Sequence, residues 1–317
     1  MNKRKTESND AAAQEDAIGT SEDYPSRNSA VVVMTRRYRV FVFREFLLKT
    51  FGREYLGQGT ILDVAGGKGD LSWLLANADG LDSIVVDPRV TDHTKLVRGA
   101  QWMLDNPETA KVREQSAPGS RDHSPLASLH LRPPFRTPRH LRMFMDNTCV
   151  ENATNMERGG EEWAVYFKNA SKRAEACEGQ SMHHQPLGTE SIDGERGRIT
   201  CCVDAYVALL SARLVVGFHS DEATDSCINL ALALRVPFVV VPCCVFPKAF
   251  PHRRLRGKPV SSYYDLVEYL KGMHPNIQQA ELPFESEGGG ARRTVLFMRP
   301  SDYDLRCVVI PSNSGGL

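Results

Sequence analysis

The chain has no surplus charge. Its 317 residues carry 39 Lys+Arg and 39 Asp+Glu, a formal net charge of zero. It is therefore not built on a global basic field of the kind that holds nucleic acid by itself, although a local patch stays open. It has no run of about 18 apolar residues, so neither a membrane-spanning helix nor a membrane partner is expected. Met1-Asn2-Lys3-Arg4-Lys5 opens a polar stretch that lacks the apolar centre of a secretory signal. None of the eight cysteines, Cys149, Cys177, Cys201, Cys202, Cys227, Cys243, Cys244 and Cys307, forms a C-x-x-C pair, so no zinc or other metal site is expected. The thiols read as free in a reducing compartment, the cytoplasm or the nucleus. What is present is 41% hydrophobic residues, enough to bury a sizeable core.

The sharpest local pattern is Ile61-Leu62-Asp63-Val64-Ala65-Gly66-Gly67-Lys68-Gly69-Asp70. A short apolar run meets closely spaced glycines, and Ile84-Val85-Val86 follows, closed by Asp87. This is strand, Gly-rich turn, helix, strand, acid, an order that cradles a nucleoside cofactor in α/β folds. Gly66, Gly67 and Gly69 remove Cβ where the backbone must approach a ligand. The helix expected over 70–77 aims its free N–H groups at the same place. Asp87, at the tip of the second strand, is spaced to accept both ribose hydroxyls. Asp63 ahead of the glycines would repel a pyrophosphate and suits a cofactor with an amino group, such as S-adenosylmethionine (SAM). A nicotinamide or flavin site and a ligand-free tight turn are the competing readings.

The segment resembles the SAM-binding motif of class I methyltransferases, acid-x-Gly-x-Gly-x-Gly, with Ala65 in place of the first glycine. The resemblance implies a doubly wound, mostly parallel sheet and SAM as cofactor. It also implies a contact between the adenine and an acid near the end of the third strand, which here is Asp146. A helix cap is the competing role for Asp146.

The rest of the chain fits an α/β order. Residues 1–29 are polar and read as a disordered tail, and 30–317 as one domain. A helix runs up to Phe51 with Val40, Phe43 and Leu47 on one face and arginines elsewhere. Residues 106–198 read as a long, largely irregular insertion, broken by a strand over 141–145 and a helix over 161–178. Beyond it come a helix over 200–211 with Val203, Val207 and Leu210 inward, a strand at 214–218, a helix over 223–234 and a strand at 237–241. A helix over 261–273, with Tyr264, Leu266, Val267 and Leu270 as its apolar set, precedes an antiparallel pair at 278–282 and 294–298. Alternation of this kind predicts a parallel sheet covered on both faces.

Two polar segments fall at strand ends, where ligands of open α/β sheets bind. They are His219-Ser220-Asp221-Glu222-Ala223-Thr224-Asp225 and Pro242-Cys243-Cys244. Together they resemble a methyltransferase subgroup that includes tRNA 2′-O-methyltransferases and the methyltransferase-like 25 proteins. Imidazole titrates near neutrality, so His219 is the candidate general base, with Asp221 to orient it or to hold an amino group. Cys243 and Cys244 are candidates for shaping the acceptor pocket. Arg253 and Arg254, in the densest basic stretch outside the N-terminal tail, are candidates for gripping RNA phosphates. The expected activity is methyl transfer from SAM to an acceptor, RNA before a protein or a small molecule. A SAM-binding partner protein without activity is the reading from another class. The oligomeric state is not legible.

Overall fold

A computed structural model describes residues 38–116, 123–154, 159–178, 197–284 and 292–303. The expected tail at 1–29 lies outside them. The described chain begins with α1 (Arg39–Phe51) and α2 (Arg53–Leu56). It continues through β1 (Thr60–Val64), α3 (Asp70–Ala78), β2 (Ser83–Val86), α4 (Thr94–Asp105), α5 (Pro107–Gln115) and β3 (Arg139–Leu141). Next come α6 (Asn147–Thr154), α7 (Gly159–Glu178), α8 (Cys202–Leu210), β4 (Ala212–Phe218), α9 (Thr224–Leu234) and β5 (Phe238–Val241). A short hairpin, β6 (Arg254–Leu255) and β7 (Lys258–Pro259), leads to α10 (Tyr263–Lys271), β8 (Gln278–Glu281) and β9 (Thr294–Met298).

Seven strands form one sheet in the order β3-β2-β1-β4-β5-β9-β8. β1 to β5 are parallel, and β9 runs antiparallel to both β5 and β8. The chain winds outward from β1 in one direction and then from β4 in the other, so the order reverses between β1 and β4. β1, β2 and β5 are buried along their whole length, as strands covered on both faces must be. Successive residues divide between two cores. Leu62, Val64, Val215, Phe238 and Val240 pack with residues of α6 to α10 such as Ala153, Trp163, Ile228 and Leu270. Ile61, Leu214, Val216, Val239 and Val241 pack with Phe43 and Leu47 of α1 and Leu71 and Leu75 of α3. The inward face expected of α1 is the one observed. Arg44 on the same helix is buried, and its guanidinium grips Asp79 at 2.5 and 2.6 Å, with Arg53 on the same carboxylate.

Four expectations need correction. The described part of the 106–198 segment holds two helices beyond the expected strand and helix, α5 and α6. α5 buries nothing, so it leaves no apolar period in the sequence. β3 starts and ends earlier than expected because its register follows β2, from Ile84↔Arg139 to Val86↔Leu141. Met143 and Met145 are then buried as coil ahead of α6. α8 turns its small face inward, Ala205, Ala208 and Leu209, and leaves Val203 and Val207 exposed. Tyr264 on α10 is likewise exposed, while Leu266, Val267 and Leu270 are buried. No helix among the described residues is long and apolar enough to cross a membrane.

Candidate functional site

The Gly-rich turn leaves β1 at the point where the strand order reverses, the place where open α/β sheets part and leave a crevice. Its glycines are required by what lies behind them. A Cβ on Gly66 would sit 2.7 Å from the Asp63 carboxyl group. Gly69 has φ +81°, and a Cβ there would meet the His93 ring at 2.7 Å. Gly67, at φ +60°, is the open one, with the Arg89 guanidinium 3.5 Å from where its Cβ would be. The β2–α4 loop is latched to the turn by the Asp92 N–H, which donates to the Lys68 carbonyl, and by Lys68 Nζ on Asp92 at 3.0 Å. The Thr94 hydrogen bond and Lys68 hold Asp92 down at a pKa of about 2.

Asp63 does not face the crevice. Its carboxylate is buried behind the turn and accepts the Ser72 hydroxyl at 2.9 Å, and Ser72 in turn meets Ser83 at 2.8 Å. Burial pushes its pKa up to about 7, against the pull of Ser72, with the Asp87 charge adding to the rise. Its place is to back the turn from within the protein. Ser72, one turn into α3, had no signal in the sequence beyond a polar residue in an apolar run.

Asp87 stands at the end of β2, buried, and accepts the Gly67 N–H at 2.8 Å. The same carboxylate takes the Arg89 N–H at 2.9 Å and, at 3.0 Å each, Arg89 Nε and Nη2. Four donors fill the lone-pair sites of a carboxylate. Two ribose hydroxyls therefore reach Asp87 only after the exposed Arg89 side chain swings away, leaving the two backbone donors in place. Arg89 was missed, though its place two residues after the acid was a signal.

β4 and β5 bring the second pair of segments together. Val216↔Val239 and Phe218↔Val241 are in register, and the His219 N–H donates to the Val241 carbonyl at 3.1 Å. The backbone is strained around this edge. Ala65 (φ 53°) after β1, His219 (φ 56°) and Asp221 (φ 46°) after β4, and Phe246 (φ 46°) after β5 all take left-handed conformations without being glycine. Such conformations cost about 1–3 kcal/mol each and gather at functional sites. The His219 ring lies against Phe218 at 4.5 Å between centroids, and Phe218 stacks on Phe43 at the same distance. The Cys243 thiol donates to Asp221 Oδ1 at 2.8 Å, and burial first, then Asp221, pushes its pKa up. The Cys244 thiol is raised by the same two causes and is exposed. Ligand atoms of Asp221, Cys243 and Cys244 all lie within 4.8 Å of one another, a grouping that a search for C-x-x-C spacing passes over.

Two of the other candidates have structural work. Asp146 caps α6 by accepting the Cys149 N–H at 2.9 Å and pairs with Arg173 at 2.6 Å, the competing role weighed for it. Arg253 corrects the expectation of a phosphate-gripping pair. Its guanidinium is buried on Asp225 at 2.8 and 2.9 Å, donates to the Val245 carbonyl at 2.9 Å, and lies 3.6 Å over the Phe250 ring. Asp225 on α9 is the partner the sequence did not announce. Arg254 stays exposed, with one bond to the Gly257 carbonyl at 3.2 Å, and shares its hairpin with exposed Arg256 and Lys258. The strand ends thus bring together the Gly-rich turn, Asp87, His219, Asp221 and Cys243, and leave Asp63, Asp146 and Arg253 as supports.

No family model, no curated protein and no solved structure matches this chain.

Proposed function

We propose that this chain is a SAM-dependent methyltransferase of class I architecture that acts on RNA. One observation carries the reading. The sheet order β3-β2-β1-β4-β5-β9-β8, with only β9 reversed, resembles the class I methyltransferase sheet, and the Gly-rich turn sits at its point of reversal. A dinucleotide-binding sheet continues with a parallel sixth strand beside the fifth, where this chain has antiparallel β9.

The residues fit such a cofactor. Gly67 leaves the backbone open to a ligand, and Asp87 offers its carboxylate to ribose hydroxyls once Arg89 is displaced. Asp63, buried beneath the turn, braces the glycines over which a methionine ammonium would lie. Bound there, SAM supplies an electrophilic methyl group. The chain's part is to align an acceptor with it and remove a proton, and effective alignment is the larger share of such a displacement. His219, held beyond the end of β4, takes the proton from the acceptor hydroxyl or amine. Asp221 is committed to Cys243, so its role is to shape the acceptor side. The hairpin bearing Arg254, Arg256 and Lys258 follows β5 and carries the RNA half of the reading.

Calorimetry with SAM tests the donor, with binding expected for the natural protein and weakened by Asp87→Ala. No heat with SAM, and no effect of that substitution, would remove the central claim. Transfer of tritium from labelled SAM to total RNA and total protein tests the acceptor. Label in protein and never in RNA would replace the acceptor with a protein. SAM binding without turnover on any acceptor would leave a binding partner in place of an enzyme.

A further inference from the structure

Cys243, Cys244 and Asp221 form a donor set that takes no chemical step in the reaction described above, where Asp221 only shapes the acceptor side. β5 ends in Val241, so Pro242-Cys243-Cys244 projects from the sheet edge directly beside the Asp221 turn that follows β4. The ligand atoms lie within 4.8 Å of one another, and the Cys243 sulfur is 2.8 Å from Asp221 Oδ1. Around a tetrahedral zinc ion, bond lengths of about 2.3 Å to sulfur and 2.0 Å to oxygen set sulfur–oxygen separations near 3.5 Å and sulfur–sulfur separations near 3.8 Å. The three donors therefore reach one ion after changes of at most about 1.3 Å in their separations, within the freedom of their side chains.

We propose that Asp221, Cys243 and Cys244 bind one zinc ion, with the fourth coordination position open. Two observations select the ion and the open position. Two sulfurs and one carboxylate oxygen make a thiophilic set that favours zinc over magnesium or calcium, which take oxygen ligands. Asp221 and Cys244 are both exposed, so solvent reaches the ion. Three protein ligands with a free fourth position is the pattern of zinc that acts on a bound molecule rather than of zinc that only braces a fold. Binding replaces the Cys243–Asp221 hydrogen bond by metal bonds, and both thiol protons leave to solvent. The other adjacent pair, Cys201 and Cys202, opens α8 and has no third ligand grouped with it among the described residues, so it serves as an internal control.

The inference stands apart from the choice of methyl donor, since metal uptake is measured without SAM. The full-length protein is stripped with chelator under reducing conditions and titrated with cobalt(II), then with zinc(II). The expected result is one cobalt per chain with an intense thiolate-to-cobalt charge-transfer band, erased by one equivalent of zinc. Cys243→Ser with Cys244→Ser should abolish the band, and Asp221→Asn should weaken binding at least tenfold. Cys201→Ser with Cys202→Ser should leave both unchanged. Circular dichroism establishes that each variant is folded. No band in the natural protein, or a band that survives in the folded Cys243/Cys244 double variant, overturns the proposal.

Discussion

Replacing Asp63 by Asn should reshape the pH dependence of stability without disturbing the turn. Asp63 is buried to 1% exposure, and its pKa stands at about 7 in the folded chain against 3.8 for the free side chain. A group whose pKa rises on folding holds more protons in the folded state, so its contribution to stability is lost as pH climbs from about 4 to about 7. The rise of roughly three pH units corresponds to about 4 kcal/mol in all, of which about 2–3 kcal/mol falls between pH 5 and pH 8. Asn keeps the oxygen that accepts the Ser72 hydroxyl and does not ionise. Urea unfolding at pH 5, 6, 7 and 8 of both proteins isolates the effect, because every other titrating group cancels in the difference. Relative to Asp63→Asn, the natural protein should lose about 2–3 kcal/mol across that range, with the steepest change between pH 5 and 6 and a flattening above pH 7. Parallel curves for the two proteins would refute the placement of Asp63 as a desolvated carboxyl behind the turn. A difference that grows toward acid would refute its sign.

Gly66→Ala should destabilise the chain by about 2–4 kcal/mol, since the new methyl meets the Asp63 carboxyl at 2.7 Å and must push it off Ser72; thermal unfolding measures it, and a change under about 0.5 kcal/mol would contradict the packing. Arg253→Leu should cost about 3–5 kcal/mol by leaving Asp225 charged and buried without its cation, whereas exposed Arg254→Ala should stay within about 0.5 kcal/mol; equal effects in urea unfolding would overturn the distinction drawn between neighbouring arginines. Arg89→Ala should tighten SAM binding up to about fivefold, because a half-exposed ion pair worth about 1 kcal/mol or less no longer has to open before Asp87 accepts hydroxyls. Calorimetry reads that change, and tenfold weaker binding would make Arg89 part of the binding site instead.

How much could be foreseen depended on whether a residue's role was local. β1, the turn, α3 and β2 were legible because apolar runs, glycines and a closing acid all lie within one stretch of chain, and the observed bounds fall within about a residue of the expected ones. The antiparallel pair β8–β9 was legible from its pattern for the same reason. α5 was not, since a helix that buries nothing has no apolar period to display. α8 was misoriented because valines mark a face by hydropathy, while Ala205 and Ala208 let α8 pack closely against the neighbouring α7. Charge was hardest to place. Arg253 and Arg254 are adjacent and chemically identical, yet one closes on Asp225 from 28 residues away and the other faces solvent. Nothing in the local pattern separates them, because burial of an arginine is decided by the acid that meets it across the fold. The same holds at the site. Asp221 and Cys243 are 22 residues apart and become neighbours only through the parallel pairing of β4 with β5. A motif can mark the end of a strand, but strand order decides which two ends share a crevice, and that order is where this chain's chemistry is assembled.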